Sequence, residues 1–340
     1  MSETIEKQLP KDFASDQDVK WCPGCGDYSI LKQVHTILPD LGIPKENIVF
    51  ISGIGCSSRF TYYMDTFGMH SIHGRAAAIA SGVKASNPDL SVWVVSGDGD
   101  SLSIGGNHFI HLMRKNFDLN LLMFNNQIYS LTKGQYSPTS EKGKVTKTSP
   151  IGSIDEPFNP SELALGAKST FVARTLDRDP KHMQAILKRA HSHKGTSFVE
   201  IYQNCPVFND ETFFAYSDKT TKKEEAIYVE HGKPLIYGNN EEHGIKLDGL
   251  KPVIVNIKEN NISVNDLWIH DENDKTKANL IARFFDSVEP HFPRPFGVLY
   301  SEDRPTYEED MANQILAAKE KKGKISLNKI LAGSNTWTVN

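Results

Sequence analysis

The chain has 340 residues, 39% hydrophobic and 24% charged, with a formal net charge of −4. That composition excludes a disordered or low-complexity protein, and a charge so near neutrality gives no sign of nucleic-acid binding. No apolar run approaches the roughly 20 residues that span a bilayer. The opening MSETIEKQLPKDF lacks the basic flank and apolar run of a signal peptide, so a cytoplasmic protein with no membrane partner is expected.

Up to about residue 205 strand-like and helix-like segments alternate. Asp27 stands where a helix cap belongs, ahead of an apolar face made of Tyr28, Leu31, Val34 and Leu38, and Pro39 and Gly42 close that helix. NIVFIS (47–52) predicts a buried strand, GRAAAIASGVKAS (74–86) a helix of small residues, and LSVWVVSGDGD (90–100) a strand running into a glycine turn. SIGGNHFIHLMRK (103–115) reads as a helix weakened by Gly105 and Gly106. LNLLMFNN (119–126) and STFVARTL (169–176) are strands. Asp179 and Pro180 open a helix whose face is Met183, Ile186, Leu187 and Ala190 and which Lys194–Gly195 closes; TSFVEIYQNC (196–205) is the next strand. Strands this apolar, alternating with helices, predict an α/β fold: a parallel sheet flanked by helices, with ligands at the carboxyl ends of the strands. The informative loops then follow residues 52, 95, 125 and 203.

From about residue 206 the chain turns polar and is broken by glycine and proline. Two helices stand out there, one on Leu280, Ile281, Phe284, Phe285 and Val288, the other opened by a Thr306/Glu309 capping box before Met311, Ile315 and Leu316. This divides the chain into a binding domain, 1–205, and a C-terminal extension, 206–340, that packs on it and reaches a partner subunit; a separately folding second domain is the alternative.

SGDGD, followed 26 residues after Gly99 by an Asn-Asn pair, is the most specific pattern. A diphosphate held through Mg²⁺ needs a carboxylate, further oxygen ligands and backbone that approaches closely. Asp98 supplies the first, the Asn126 amide the second and the backbone carbonyl of Ile128 a third. Gly97 and Gly99 allow close approach, and a helix beginning near Ser101 presents its N-terminus to phosphate. The plainer alternative is a glycine turn with unrelated asparagines. A dinucleotide site is a poor match, since GIGCSSR (53–59) lacks the third glycine of GxGxxG. The pattern resembles the diphosphate-binding motif of thiamine-diphosphate enzymes.

The chain has four cysteines, Cys22, Cys25, Cys56 and Cys205, each in a loop near one edge of the expected sheet. Four thiolates are what a [4Fe–4S] cluster requires, and Cys205-Pro206 matches the Cys-Pro that ends ferredoxin ligand runs. Gly24, Gly26 and Gly55 leave backbone N–H groups for the sulfurs. Structural zinc usually takes two close pairs, whereas only one CxxC is present and Cys56 and Cys205 are 149 residues apart. Spacing alone leaves cluster and zinc both open.

WCPGCGDYSI (21–30), GIGCSSR, HSIHGRAAAIASGVKASNPDLSVWVVSGDGD and NNQIYSLTKGQYSPTS, with HGKPLIYG and RPTYEE further on, closely resemble the β subunit of 2-oxoacid:ferredoxin oxidoreductases. The resemblance implies that Cys22, Cys25, Cys56 and Cys205 hold one [4Fe–4S] cluster beside thiamine diphosphate, with Cys56 nearest the thiamine. It implies that Asp98, Asn126 and Ile128 hold Mg²⁺, and that Gly55, Ser57, Ser58, Gly97, Gly99, Asp100 and Tyr129 surround the cofactor, with Arg59 beside them. His73 and Arg75 become the catalytic candidates: His73 toward the diphosphate or the reacting centre, Arg75, with Lys133, toward phosphate or a substrate carboxylate. The implied reaction is oxidation of 2-oxoglutarate with coenzyme A to succinyl-CoA and CO₂, electrons passing through the cluster to ferredoxin, or its reverse. NHFIHLMRKNFDLNLLMFNNQIYSLTKGQYSPTS (107–140) resembles the 2-oxoglutarate branch more than the pyruvate branch, and a pyruvate or broad-range enzyme stays open. In this family the glutamate that activates thiamine lies on a pyrimidine-binding domain that this chain lacks. An α subunit supplying it, an α2β2 heterotetramer and no activity for this chain alone are therefore expected. The basic KGKVTK loop (142–147) faces ferredoxin, the phosphates of coenzyme A or solvent. Two other classes remain: a cluster-free thiamine carboligase, which has no use for converging cysteines, and a zinc-binding assembly protein, which ignores the GDG and Asn-Asn pattern.

Overall fold

The structure, a computed structural model, describes residues 8–285, 290–323, 326–334 and 336–337; Val288 lies outside them. Its strands are β1 (Ile48–Ser52), β2 (Phe67–His70), β3 (Ser91–Gly97), β4 (Leu119–Asn125), β5 (Phe171–Leu176), β6 (Thr196–Tyr202), β7 (Ala226–Val229), β8 (Ile236–Tyr237), β9 (His243–Asp248), β10 (Lys251–Asn256) and β11 (Arg294–Ser301). Eight form one sheet in the order β2-β1-β3-β4-β6-β5-β11-β7, and β8, β9 and β10 form a small antiparallel sheet. Within the large sheet the pairings among the described residues are parallel except β11 against β5. The sheet thus runs on past residue 205, because β7 and β11 add two strands beside β5.

The helices are α1 (Asp27–Ile37), α2 (Ala76–Ser86), α3 (Asp98–Leu102), α4 (Gly106–Lys115), α5 (Pro160–Gly166), α6 (Pro180–Ser192), α7 (Lys222–Glu225), α8 (Lys275–Ala282), α9 (Tyr307–Lys322) and α10 (Leu327–Ala332). Alternate residues of the central strands feed two cores, as the pleat requires. Val92, Val94, Leu121 and Met123 pack on one face with Ala80 of α2, Phe109 of α4 and Leu165 of α5. Trp93, Val95, Leu122 and Phe124 pack on the other with Val34 of α1 and Leu187 of α6. Burial on both faces explains why these strands read as unbroken apolar runs.

Three local expectations change. Asp27 does not cap α1; Gly26 occupies the cap position and Asp27 is the first helical residue. The helix after the glycine turn starts at Asp98 itself as the short α3, and α4 follows from Gly106. α8 stops at Ala282 and tightens into a 3₁₀ turn over Arg283–Phe285. Asp179 caps α6 through the His182 N–H, and Thr306 and Glu309 form their reciprocal box at α9.

Candidate active site

β1, β3, β4 and β6 lie side by side and parallel, so the loops after residues 52, 97, 125 and 202 open at one edge. The CPGCG segment is tied to that edge from outside: the Gly26 N–H donates to Asn204 O at 3.0 Å, and the Asn204 N–H donates to Asp177 Oδ2 at 2.8 Å. A Cβ on Gly26 would lie 1.9 Å from Asp177 Oδ2, so only glycine permits this approach. That N–H is therefore engaged by backbone and does not serve a sulfur.

A cavity of about 500 Å³ opens at this edge, and its walls include Gly55, Cys56, Ser57, His73, Gly97, Asp98, Gly99, Asp100, Asn126, Ile128 and Tyr129. Asp98 is 2% exposed, and its Oδ2 accepts the hydroxyls of Ser137 and Thr139. Burial pushes its carboxyl up to about 6, the two hydroxyls pulling it back. A buried carboxylate answered by neutral hydroxyl and backbone N–H donors is suited to a hard cation. The Asn126 Oδ1 accepts the Ile128 N–H at 3.2 Å, which orients that oxygen and turns the amide NH₂ the other way. Gly99 is glycine because the Tyr129 ring lies where a Cβ would be, 2.3 Å from it, and the Tyr129 hydroxyl donates to Gly99 O at 2.9 Å.

Asp100 lines the cavity while its oxygens bind protein. It accepts the Ile54 N–H (3.1 Å), the Gly74 N–H (2.7 Å) and the Ser96 hydroxyl (2.6 Å), and meets His73 Nδ1 at 2.7 Å. One buried carboxylate thus clamps the loop after β1, the loop before α2 and the end of β3. Asp27 also lines this cavity; it is 1% exposed, and its carboxyl is met by the Cys25 thiol rather than by any nitrogen or hydroxyl donor. Burial lifts its carboxyl to about 7, the Cys25 thiol pulling it back and Asp177 adding to the rise.

A second cavity, about 190 Å³, adjoins the first and is lined by all four cysteines. Cys56, Asn126, Ser130, Leu131 and Gln203 line both. Burial pushes the Cys56 thiol up to about 12, with Asp27, Cys205 and Cys22 adding to the effect; Cys25 is raised by burial, by Asp27 and by Cys56 and Cys205. The sulfurs are close enough to oppose one another's ionisation, so a cationic group among them is needed to hold them as thiolates. Among the described residues, no three His, Cys, Asp or Glu side chains gather tightly enough to hold a single metal ion. The cysteines surround a volume rather than a point.

Other expected residues fall elsewhere. Ser58 is fully buried and lines neither cavity, whereas its neighbour Ser57 does line the first. Arg75 lines neither cavity; its guanidinium donates to Ile104 O at 3.2 Å, in the turn between α3 and α4. Arg59 and Lys133 line the cysteine cavity instead of the larger one. In the basic loop Lys142 pairs with Glu156 and Lys144 with Asn209, so part of its charge is already answered. Sequence reasoning missed Ser137, Thr139, Ser130 and Gln203 as site residues. Their signal was their place in the quoted NNQIYSLTKGQYSPTS stretch and beside Cys205.

A parallel sheet whose carboxyl edge carries a buried GDG aspartate and an adjoining Asn-Asn pair defines a thiamine-diphosphate-binding domain. Residues 53–201 match the C-terminal TPP-binding domain of thiamine pyrophosphate enzymes. The whole chain is 49% identical to the 2-oxoglutarate oxidoreductase subunit KorB of Mycobacterium tuberculosis, covering 99% of this chain and 90% of that one. The 2-oxoacid:ferredoxin oxidoreductase subunit beta of a Sulfolobus species is 42% identical over 61% of this chain and 68% of its own length. Among solved structures, the 2-oxoglutarate:ferredoxin oxidoreductase from Magnetococcus marinus, with 2-oxoglutarate, coenzyme A and succinyl-CoA bound, superposes with a TM-score of 0.78 at 33% identity, covering 98% of both chains. The chain belongs to the β subunits of the 2-oxoacid:ferredoxin oxidoreductase family. Among the described residues, no helix is long and apolar enough to cross a membrane.

Proposed function

We propose that this chain is the β subunit of a 2-oxoglutarate:ferredoxin oxidoreductase, forming succinyl-CoA and CO₂ from 2-oxoglutarate and coenzyme A, or running that reaction in reverse. The names of the M. tuberculosis relative and the M. marinus structure support the substrate. The observation that carries the reading is the shared wall: Cys56, Asn126 and Gln203 separate a cavity containing Asp98 from one lined by every cysteine. A carboligase would have no use for the second cavity, and a zinc protein none for the first.

Asp98, Asn126 and the Ile128 carbonyl would hold Mg²⁺ and through it the diphosphate; bound thiamine supplies the carbanion chemistry of decarboxylation. Ser137 and Thr139 fix the Asp98 carboxylate, so its metal-facing geometry is set before the cation arrives. Asp100 fixes the His73 ring through Nδ1, leaving Nε2 as the nitrogen available to a bound molecule. Cys22, Cys25, Cys56 and Cys205 would hold a [4Fe–4S] cluster, whose own volume suits sulfurs set around a cavity. The α subunit completes the thiamine site in an α2β2 assembly, ferredoxin takes the electrons, and the enzyme works in the cytoplasm.

The test is co-expression with the α-subunit partner, anaerobic purification and an assay of coenzyme-A-dependent viologen reduction. Turnover with 2-oxoglutarate well above that with pyruvate is expected, and none from this chain alone. A preference for pyruvate, or activity of the lone chain, contradicts the proposal.

A further inference from the structure

The wall between the two cavities carries a hydrogen-bonded fork. The Asn126 amide NH₂ donates to Gln203 Oε1 at 2.7 Å and to Ser130 Oγ at 3.3 Å. Each recipient passes a hydrogen on to a cysteine: Gln203 Nε2 donates to Cys25 Sγ at 3.3 Å, and Ser130 Oγ donates to Cys205 Sγ at 3.2 Å. The directions are fixed from both ends. Asn126 Oδ1 is held by the Ile128 N–H, so its nitrogen must face the wall. The second hydrogen of the Gln203 amide goes to Asn204 O at 2.5 Å, which pins that side chain, 1% exposed, in one orientation. The two prongs end on sulfurs 180 residues apart in sequence, Cys25 before α1 and Cys205 after β6.

We infer that this fork couples occupancy of the diphosphate–metal site to the reduction potential of the cluster, with Gln203 and Ser130 as positioning residues. The inference rests on the proposed function, since it takes Asn126 as a metal ligand and the cysteines as cluster ligands. A cation on Asn126 Oδ1 withdraws charge from the amide and makes its N–H groups stronger donors. Gln203 and Ser130, polarised in turn, donate more strongly to the sulfurs. Hydrogen bonds to ligating sulfurs set cluster potentials, and they favour the reduced state because it places more negative charge on sulfur. Seating the coenzyme therefore raises the cluster's affinity for an electron when an electron donor is about to form. Coupling of this kind is reciprocal, so a reduced cluster must tighten coenzyme binding by the same factor.

The test is a redox titration of the anaerobic αβ complex, followed by the electron paramagnetic resonance of the reduced cluster, with and without Mg²⁺ and thiamine diphosphate. The wild-type one-electron equilibrium is expected to shift about tenfold toward reduction on adding the coenzyme, equivalent to about 59 mV. In Gln203→Leu/Ser130→Ala the cluster becomes harder to reduce and the coenzyme-linked shift falls below about twofold, while Ser130→Thr, which keeps the hydroxyl, retains it. An unmoved wild-type potential, or an intact shift in the double variant, overturns the fork. If the double variant loses its cluster, the wild type decides: thiamine affinity should be about tenfold higher with the cluster reduced than oxidised, and equal affinities overturn the inference. Iron, sulfide and thiamine are assayed on the same sample. A missing cluster is thus failure of the proposed function, whereas an intact cluster with an unresponsive potential is failure of the fork alone.

Discussion

Two places in this sheet bury charge, and they treat it in opposite ways. Between β5 and β6, Arg174 and Glu200 are both fully buried and answered on all sides. The Arg174 guanidinium donates to Glu200 (2.8 Å), Ser161 Oγ (3.0 Å) and Pro295 O (3.2 Å), and Glu200 also accepts the Asn125 amide at 2.8 Å. At the carboxyl edge of the neighbouring strands, Asp98 has hydroxyls for partners, Asp27 only a thiol, and thiols that oppose one another's ionisation surround a cavity. The first site is complete within the chain. The second is stable as charge only when something cationic is added, which is what separates a structural ion pair from a binding site.

The comparison can be broken from either side. Arg174→Ala leaves Glu200 buried and unpaired, and chemical denaturation should show a loss of about 3–5 kcal/mol, of which Arg174→Met with Glu200→Leu recovers at least half. A loss below about 1 kcal/mol would put the pair on the same footing as a surface bridge. The opposite sign is expected at Asp27. Its folded carboxyl is raised to about 7, so the protonated form fits the buried site and the carboxylate does not. That contribution is favourable at acid pH and is lost as pH rises from about 4 through about 7. Asp27→Asn in the metal-free chain should therefore gain about 1–3 kcal/mol at pH 8, the gain shrinking at lower pH. Destabilisation at pH 8 would mean that the carboxylate has a stronger partner than the Cys25 thiol.

The smallest expected effect concerns Asp98. Its carboxyl is raised to about 6 without a cation, and a cation binds only the ionised form. Calorimetric titration should show Mg²⁺–thiamine diphosphate affinity level above about pH 6 and falling about tenfold per unit below it. An affinity flat down to pH 5 would remove Asp98 from the metal.

The central strands, the GDG turn and the Asn-Asn pair were legible because each is local: continuous apolar runs for strands buried on both faces, and a short motif at a strand end. β11 was not, because Pro295 and Gly297 interrupt the strand pattern, although its residues from Pro295 to Tyr300 are buried. Asp27 was read as a cap because aspartate favours that position; Gly26, tied to Asn204 O, takes the cap instead and Asp27 becomes the first helical residue. The meeting of the four cysteines depends on β1, β3, β4 and β6 being neighbours, an order that periodicity does not encode. Ser137, Thr139 and Gln203 were missed for the same reason: nothing in their own segments marks what they touch across the sheet.

On the proposed function, one edge of the sheet holds a metal-anchored coenzyme and, through a shared wall, a group ligated by the four cysteines. Metal, sulfide and thiamine analysis of the anaerobically purified complex tests it most directly. About four iron and four sulfide per β chain, with about one thiamine, is the predicted result. Stoichiometric zinc in place of iron, or iron without thiamine, would contradict it.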